Sequence, residues 1–421
     1  MNKKKKYFLT ILVFLSSVLF ALLISEAIIR IVRPDIKSLV ETHFVKDRFR
    51  IRANPRNLLF VGLHPDSREK HPIAFNSIGA RQHRDFKTAK RPGTTRIGIF
   101  GDSYTANLRM RSEYSFTEPL EYLLNRTGRD FEVINFGTDA YGTGQIYLQY
   151  MDEGLSMDLD VVVYLFFVND IKEILSNGLI DMDDAGKIRY VPVKETPLST
   201  RVAKRFYLTY FLIEAFAKMD LQLDFLLTRG AQVATDEAVV MMEESKKRYA
   251  HFQGLLEKGL TDSDLERAKV IFQAIVVEMS MVAKKNGQPF YVMLVPMGGD
   301  VNMMVKDLLK ERGIDAHDLY PEFMAEKQSM DEFIFRSDPH WNEEGNKVAA
   351  SRVMRYLVGK LALTDVDDRF IREGLFEYYS AFTPSLVSGS LLSEVEVAPE
   401  RLKAIRGRYT SSYEVKGPGK W

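Results

Sequence analysis

The chain has 421 residues, 46% apolar and 27% charged, enough to bury a full core and too apolar for wholesale disorder. Its net charge of +1 gives no global electrostatic case for nucleic acid. The absence of cysteine excludes disulfides, thiolate metal sites and a cysteine nucleophile.

Lys3, Lys4, Lys5 and Lys6 precede a charge-free run at 7–25 that is rich in Leu, Ile, Val and Phe. At ~1.5 Å rise per residue a helix of this length spans roughly the ~30 Å hydrocarbon core of a bilayer. The lysines favour a cytoplasmic N-terminus, and Ser25-Glu26-Ala27 is a poor signal-peptide cleavage site. Residues 1–33 are therefore expected to form a retained single-pass membrane anchor, with the remainder exported. Residues 34–95 carry many charges and prolines and only short apolar runs, the pattern of a stem that packs back onto a domain. The basic clusters at 48–56 and 81–96 are read as a solvated face, with anionic lipid or an acidic polysaccharide as the sharper alternative.

From Arg96 the pattern becomes strand alternating with helix. Ile97 to Phe100 is a short apolar run, followed by a helix expected at 116–127 with a Ser115/Glu118 capping box and a stop at Gly128. Further strands are expected at 131–135, 161–167 and 290–295. A long helix is expected from Asp262 to Asn286-Gly287, where Leu265, Ala268, Phe272, Ile275, Met279 and Val282 share a face, and another at 343–360. Strands separated by helices imply a parallel sheet covered on both faces. Residues 172–260 interrupt this rhythm, with an apolar stretch at 206–216 and an amphipathic one at 237–249, and are read as an inserted helical subdomain able to cover a cleft. The main domain is expected at 96–362. Residues 363–421 are read as short turns and an exposed tail.

Four segments fall at strand ends or at the start of a helix. Gly101-Asp102-Ser103 follows the first strand, where a serine can present its hydroxyl and its own N–H to a developing oxyanion. The glycines of the loop from Asn135 through Gly137 to Thr143 suit close backbone approach to a ligand. Asn169-Asp170 follows the third strand and could donate an amide N–H or simply cap a helix. In Asp338-Pro339-His340 the acid can hold one ring nitrogen while the other faces a serine. Asp315-Ala316-His317-Asp318 has the same spacing, but follows a helix in a region without a strand pattern and is read as a surface loop. Taken singly, each segment is also ordinary turn chemistry. The seven histidines form no His-x-x-x-His pair, so neither a metal nor a cofactor is expected.

In this order, the four segments resemble the blocks of the SGNH (GDSL-type) hydrolase superfamily over about 73–362, leaving out the insertion. Phe75-Asn76-Ser77-Ile78-Gly79 is also similar to a segment of membrane-anchored members associated with bacterial surface or exported polysaccharide. The resemblance implies an α/β fold, a three-layer α/β/α domain with a mostly parallel, flavodoxin-like sheet. It implies Ser103 as nucleophile, His340 as base and Asp338 as its orienting acid. The oxyanion donors would be the N–H groups of Ser103 and Ala140 and the Asn169 side chain, with Gly101, Asp102, Gly137 and Asp170 supporting them. Three departures stand out: Ala140 where relatives have glycine, Phe167-Val168 without the glycine often found ahead of the asparagine, and Asp-x-His where many relatives have Asp-x-x-His. Alanine serves as donor with ordinary backbone angles, but at positive φ it carries strain of order 1 kcal/mol. The expected activity is ester (O-acyl) hydrolysis on acylated envelope or exported carbohydrate, from the periplasmic side of a bacterial inner membrane. O-acyltransfer by the same residues is the alternative, and a catalytically silent envelope scaffold or glycan-binding protein a third.

Overall fold

The computed structural model of the protein describes residues 3–33, 44–193, 202–203, 205–209, 211–212, 215, 261–296, 299–382 and 397–409. The chain divides into two compact units, one of residues 1–44 with 194–240 and one of 45–193 with 241–421.

In the first unit, α1 (Lys3–Val32) is a continuous helix. Its stretch Lys5–Val32 is long and apolar enough to cross a membrane. Glu26 interrupts the apolar surface near its end. Its carboxylate pairs with Arg30 at 2.7 Å and accepts the N–H groups of Tyr207 and Leu208 at 3.0 and 2.8 Å. An acid in an apolar neighbourhood is thus matched by a cation and two backbone donors. The amphipathic stretch expected at 237–249 lies outside the described residues.

The second unit opens with two antiparallel hairpins, β1 (Val45–Asp47) with β2 (Ile51–Ala53) and β3 (Leu58–Leu63) with β4 (Lys70–Phe75). Next come β5 (Thr94–Gly101), the single turn α2 (Ser103–Ala106), α3 (Thr117–Arg126), β6 (Asp130–Asn135), α4 (Thr143–Asp152), β7 (Val161–Phe166) and α5 (Asn169–Asn177). A small hairpin of β8 (Ile180–Met182) and β9 (Ile188–Tyr190) follows. The chain continues with α6 (Asp262–Lys285), β10 (Phe290–Leu294), α7 (Gly299–Lys310), β11 (Ala316–Asp318), α8 (Tyr320–Glu326), α9 (Glu343–Lys360), α10 (Asp368–Ser380) and α11 (Pro399–Tyr409).

Five strands form one parallel sheet in the order β6-β5-β7-β10-β11. Every residue of β7 is buried, as its unbroken Val-Val-Val-Tyr-Leu-Phe sequence requires of a strand covered on both faces. Helices α4, α5 and α6 pack together, and α3, α9 and α10 form a second group. Thr261 and Asp264 form a capping box at the start of α6, and Asn342 caps α9 by accepting the Gly345 N–H at 2.9 Å.

Four expectations are corrected. The Asp315–Asp318 stretch is not a surface loop: residues 316–318 form the edge strand β11. Three residues are too few to show an alternating pattern. The Ser115/Glu118 capping box does not form. Helix α3 starts at Thr117 without a side-chain cap, and the buried Glu118 accepts from Gln82 (2.8 Å) and Arg84 (2.9 Å). The basic clusters are not wholly a solvated face, because Arg50, Arg81 and Arg96 are buried. Arg50 pairs with Glu153 at 3.0 Å and Arg96 with Glu132 at 2.7 Å, while Arg81 bonds Ser112 and the Met110 carbonyl. These arginines give up hydration for internal carboxylates and carbonyls, and Arg50 and Arg81 thereby tie the stem to the rest of the unit.

The last correction concerns 363–409, where two helices stand in place of an exposed tail. Asp367 caps α10, whose Ile371, Leu375, Tyr378 and Tyr379 are buried. Tyr378 donates to the Glu113 carbonyl at 2.8 Å and lies against the rings of Tyr122 and Tyr409. The buried carboxylate of Glu121 takes Arg84 from the stem at 2.5 Å and Arg408 from α11 at 2.9 Å. Tyr378→Ala should therefore destabilise the domain by about 3–5 kcal/mol, as truncation of buried aromatics does. Tyr378→Phe should cost about 1 kcal/mol for the lost hydrogen bond. Chemical denaturation in detergent measures both, and a wild-type midpoint for the alanine variant would contradict the packing.

Candidate active site

With the strands in this order, β5 and β7 are neighbours whose connections run to opposite sides, and ligands bind at the carboxyl ends of such a pair. Ser103 follows β5 and Asn169 follows β7. The loop after β6 carries Gly137 and Ala140, and Asp338 and His340 lie just before α9. All four sequence segments thus belong to this edge of the sheet or to the loop that meets it.

Ser103 is the first residue of α2, where its N–H has no intrahelical acceptor. Gly101 permits the sharp turn into it, since a Cβ there would lie 2.2 Å from Thr105 Oγ1 and 2.7 Å from the Leu165 carbonyl. Asp102 caps the turn by accepting the Tyr104 N–H at 2.9 Å. The Ser103 hydroxyl lies 2.7 Å from His340 Nε2, and His340 Nδ1 lies 2.5 Å from Asp338 Oδ1. That carboxylate oxygen also accepts the His340 backbone N–H at 2.9 Å. With Nδ1–H directed at a carboxylate, Nε2 is the free acceptor of the neutral ring and the serine hydroxyl can donate to it. The imidazole is held from the side by Tyr104, whose ring centre is 5.0 Å away and whose hydroxyl donates to the Pro339 carbonyl at 2.8 Å. Phe167, in the Phe167-Val168 pair that stands where the resembling family often has a glycine, is buried with its ring 4.5 Å from that of Tyr104.

The loop after β6 is pinned by Asn135. Its amide donates to the Thr105 carbonyl at 2.8 Å and its oxygen accepts the Gly137 N–H at 2.9 Å. At Gly137 the loop backbone touches the serine turn, and a Cβ would sit 2.2 Å from the Ala106 nitrogen. The stem closes the other side, with Asn54 donating to the Gly137 carbonyl at 2.9 Å. Ala140 adopts φ +56° and is exposed, and its carbonyl accepts from Arg52. The alanine thus sits in the left-handed region that glycine occupies without strain. Asn169 opens α5, and its side-chain oxygen is buried without a partner among the described residues.

Two buried acids lie beneath. Burial pushes Asp102 up to about 6 against the pull of the Tyr104 N–H and the His340 charge. Burial, reinforced by Asp102, raises Asp170 well above the carboxylate range, although it accepts from Tyr164 (2.8 Å) and the Phe167 N–H (3.1 Å). Asp338 behaves oppositely. Burial would raise it, but the His340 hydrogen bond and the charges of His340 and Arg109 outweigh burial and hold it well below the usual range.

Arg109 escaped the sequence reading, because a lone arginine six residues after a serine carries no local signal. It bonds both oxygens of Asp139 at 2.8 and 2.7 Å and pairs with Asp338 Oδ2 at 3.5 Å. His317 is not part of this cluster: it pairs with Glu322 at 3.0 Å and stacks near Tyr356. Among the described residues no group of His, Asp and Glu is arranged to hold a metal ion. A hydroxyl, an imidazole and a carboxylate in series are the arrangement that lets a serine lose its proton as it attacks a carbonyl.

Residues 300–374 match a family model described as the SGNH hydrolase-like domain of the acetyltransferase AlgX. No curated protein sequence matches the chain. Among solved structures it is similar to an acetyl xylan esterase, AlAXEase, at 17% identity and TM-score 0.34, over 62% of this chain and 99% of that one. It is also similar to a lipolytic protein of the G-D-S-L family from Desulfitobacterium hafniense at 13% identity and TM-score 0.30, over 62% and 98% of the two chains. A lipase/acylhydrolase from Enterococcus faecalis is similar at 14% identity and TM-score 0.34, over 63% and 96%. The matched segment includes Asp338 and His340, so over this part of the second unit the chain is similar to an SGNH hydrolase-like domain.

Proposed function

We propose that this protein is a serine-dependent O-acyl esterase that works through an acyl-Ser103 intermediate on acylated envelope or exported carbohydrate. The observation that carries the reading is the 2.7 Å contact between Ser103 Oγ and His340 Nε2, with His340 held by Asp338. As Ser103 attacks the ester carbonyl, its proton passes to His340, which then protonates the departing alcohol. The N–H groups of Ser103 and Ala140 and the Asn169 amide receive the oxyanion, and losing one such donor typically costs ~2.7–4 kcal/mol of transition-state stabilisation. Water activated by His340 releases the acyl group. A silent scaffold would have no need of the connected serine, imidazole and carboxylate.

A second reading, acyl transfer to a sugar hydroxyl, is favoured by the acetyltransferase family model that matches residues 300–374. It shares the acylation half-reaction and differs only in the acceptor. The anchor is assigned to α1 with the catalytic unit outside the cytoplasm, on the strength of the four lysines before its apolar run.

A fluorophosphonate probe should label the purified protein and not Ser103→Ala. His340→Ala should lose ~10³-fold or more of its ester turnover, while His317→Ala stays near wild type; the reverse ranking would mean the base is misassigned. Given an activated acetyl ester with and without oligosaccharides, the enzyme should release mainly free acetate by mass spectrometry. Acetylated sugar with acetate at background would make transfer the reaction. Protease added to spheroplasts should digest the catalytic unit, and protection until the membrane is breached would reverse the orientation.

A further inference from the structure

We propose that Arg109 is a positioning residue that joins the carboxylate orienting His340 to the loop carrying Ala140, so that one guanidinium holds acid, base and oxyanion loop in register. The inference rests on the roles proposed for Ser103, His340 and Asp338.

Arg109 stands on the segment leaving α2, just past Asn107, which turns the chain through a left-handed conformation at φ 42°. From there it reaches two other segments. Nη1 grips both oxygens of Asp139, and Nε faces Asp338 Oδ2 at 3.5 Å. The oxygens of Asp338 are thus divided, Oδ1 to the ring and backbone of His340 and Oδ2 to the arginine. A carboxylate held at both oxygens cannot rotate its Oδ1 away from Nδ1. Asp139 directly precedes the strained Ala140, whose carbonyl is taken by Arg52. Two arginines therefore hold the strained peptide from either side, one through a side chain and one through a carbonyl. Only a fifth of the Arg109 side chain is exposed, so its pairing is less screened than that of a surface ion pair.

The arrangement has a second effect, on charge. The groups facing His340 are Asp338 on its own loop, Asp102 and Ser103 on the serine turn, the rings of Tyr104 and Trp341, and Arg109 through Asp338, with Asp139 beyond it. Arg109 is the cation paired with Asp338 and Asp139. Without it the unshielded Asp338 would favour imidazolium, so His340 would remain protonated, and unable to accept the serine proton, to a higher pH. Burial pushes Asp102 up to about 6, so an activity profile alone would carry its titration as well.

The test is a nitrogen-15 histidine NMR titration of His340 in the full-length protein, assigned by the resonance lost in His340→Gln, with the pH dependence of fluorophosphonate labelling beside it. Arg109→Met should move the His340 midpoint up by on the order of one pH unit and slow labelling ~10- to 100-fold through lost positioning. Asp139→Asn frees the loop but leaves the guanidinium beside Asp338. It should slow labelling without raising the midpoint. Arg109→Gln, closer in shape, serves if the methionine variant does not fold, and should also raise the midpoint. A wild-type midpoint in a folded, neutral Arg109 variant overturns the proposal, whatever the labelling rate. The titration needs no turnover, so a wild-type protein that fails to label would sink the acyl-enzyme reading and still leave this one decidable.

Discussion

Between the loop after β6 and the turn after β5 there is no room for a side chain. Gly137 brings the loop backbone against Thr105 and Ala106, and a single methyl group there would overlap the Ala106 nitrogen. Asn135 fixes the contact from inside the sheet by binding the Thr105 carbonyl and the Gly137 N–H together. The position of the Ser103 hydroxyl relative to Ala140 follows from this backbone contact, and so does the reach required of any residue that must meet both. The stem is shaped around it: Asn54 donates to the Gly137 carbonyl, and Tyr141 donates to the Arg52 carbonyl at 2.6 Å.

In the second unit a few arginines and acids are withdrawn from water and paired internally. Arg50, Arg81 and Arg84 of the stem and Arg96 of β5 each find acids or carbonyls in the elements around them. Unpairing such a group would leave a buried charge, which is more costly than any surface ion pair is favourable. The same logic operates at the site with the sign reversed. Asp102 and Asp170 lack full compensation and are pushed toward the neutral form by burial, while Asp338, held by His340 and Arg109, stays ionised. On the mechanism proposed for Ser103 and His340, the acid that would have to stay charged to steady an imidazolium is the one given cationic neighbours.

What could be read from the sequence was what is encoded locally. The ends of β5, β6 and β7 are marked by apolar runs stopping at Gly101, Asn135 and Asn169, and Asn342 announces the start of α9. Those signals located Ser103, Asn169 and His340 because a parallel sheet gathers strand ends on one edge. Ala140, where the family that the sequence resembles has glycine, takes the strained positive φ that an alanine there leaves open. What stayed hidden depends on partners distant in sequence. β11 is a strand only because β10 lies beside it. A basic cluster looks the same on paper whether its arginines face water or Glu132 and Glu153, and nothing around Arg109 names Asp139 and Asp338 as its partners.

Glu121 ties Arg84, which precedes the first sheet strand, to Arg408 near the end of the described chain. A polypeptide made from its N-terminus onward presents the stem, then α3, and only after almost three hundred further residues the helix that completes this carboxylate's partners. Until then the acid is half-neutralised, and the face of α3 that α10 later covers is open. Closure of a loop this long is entropically slow and carries a burden of topology that the local helices do not share. The unit can reach its final state only after release of nearly the whole chain, and a ribosome stalled before residue 408 would hold a sheet with its strands formed and its outer helical layer unfinished.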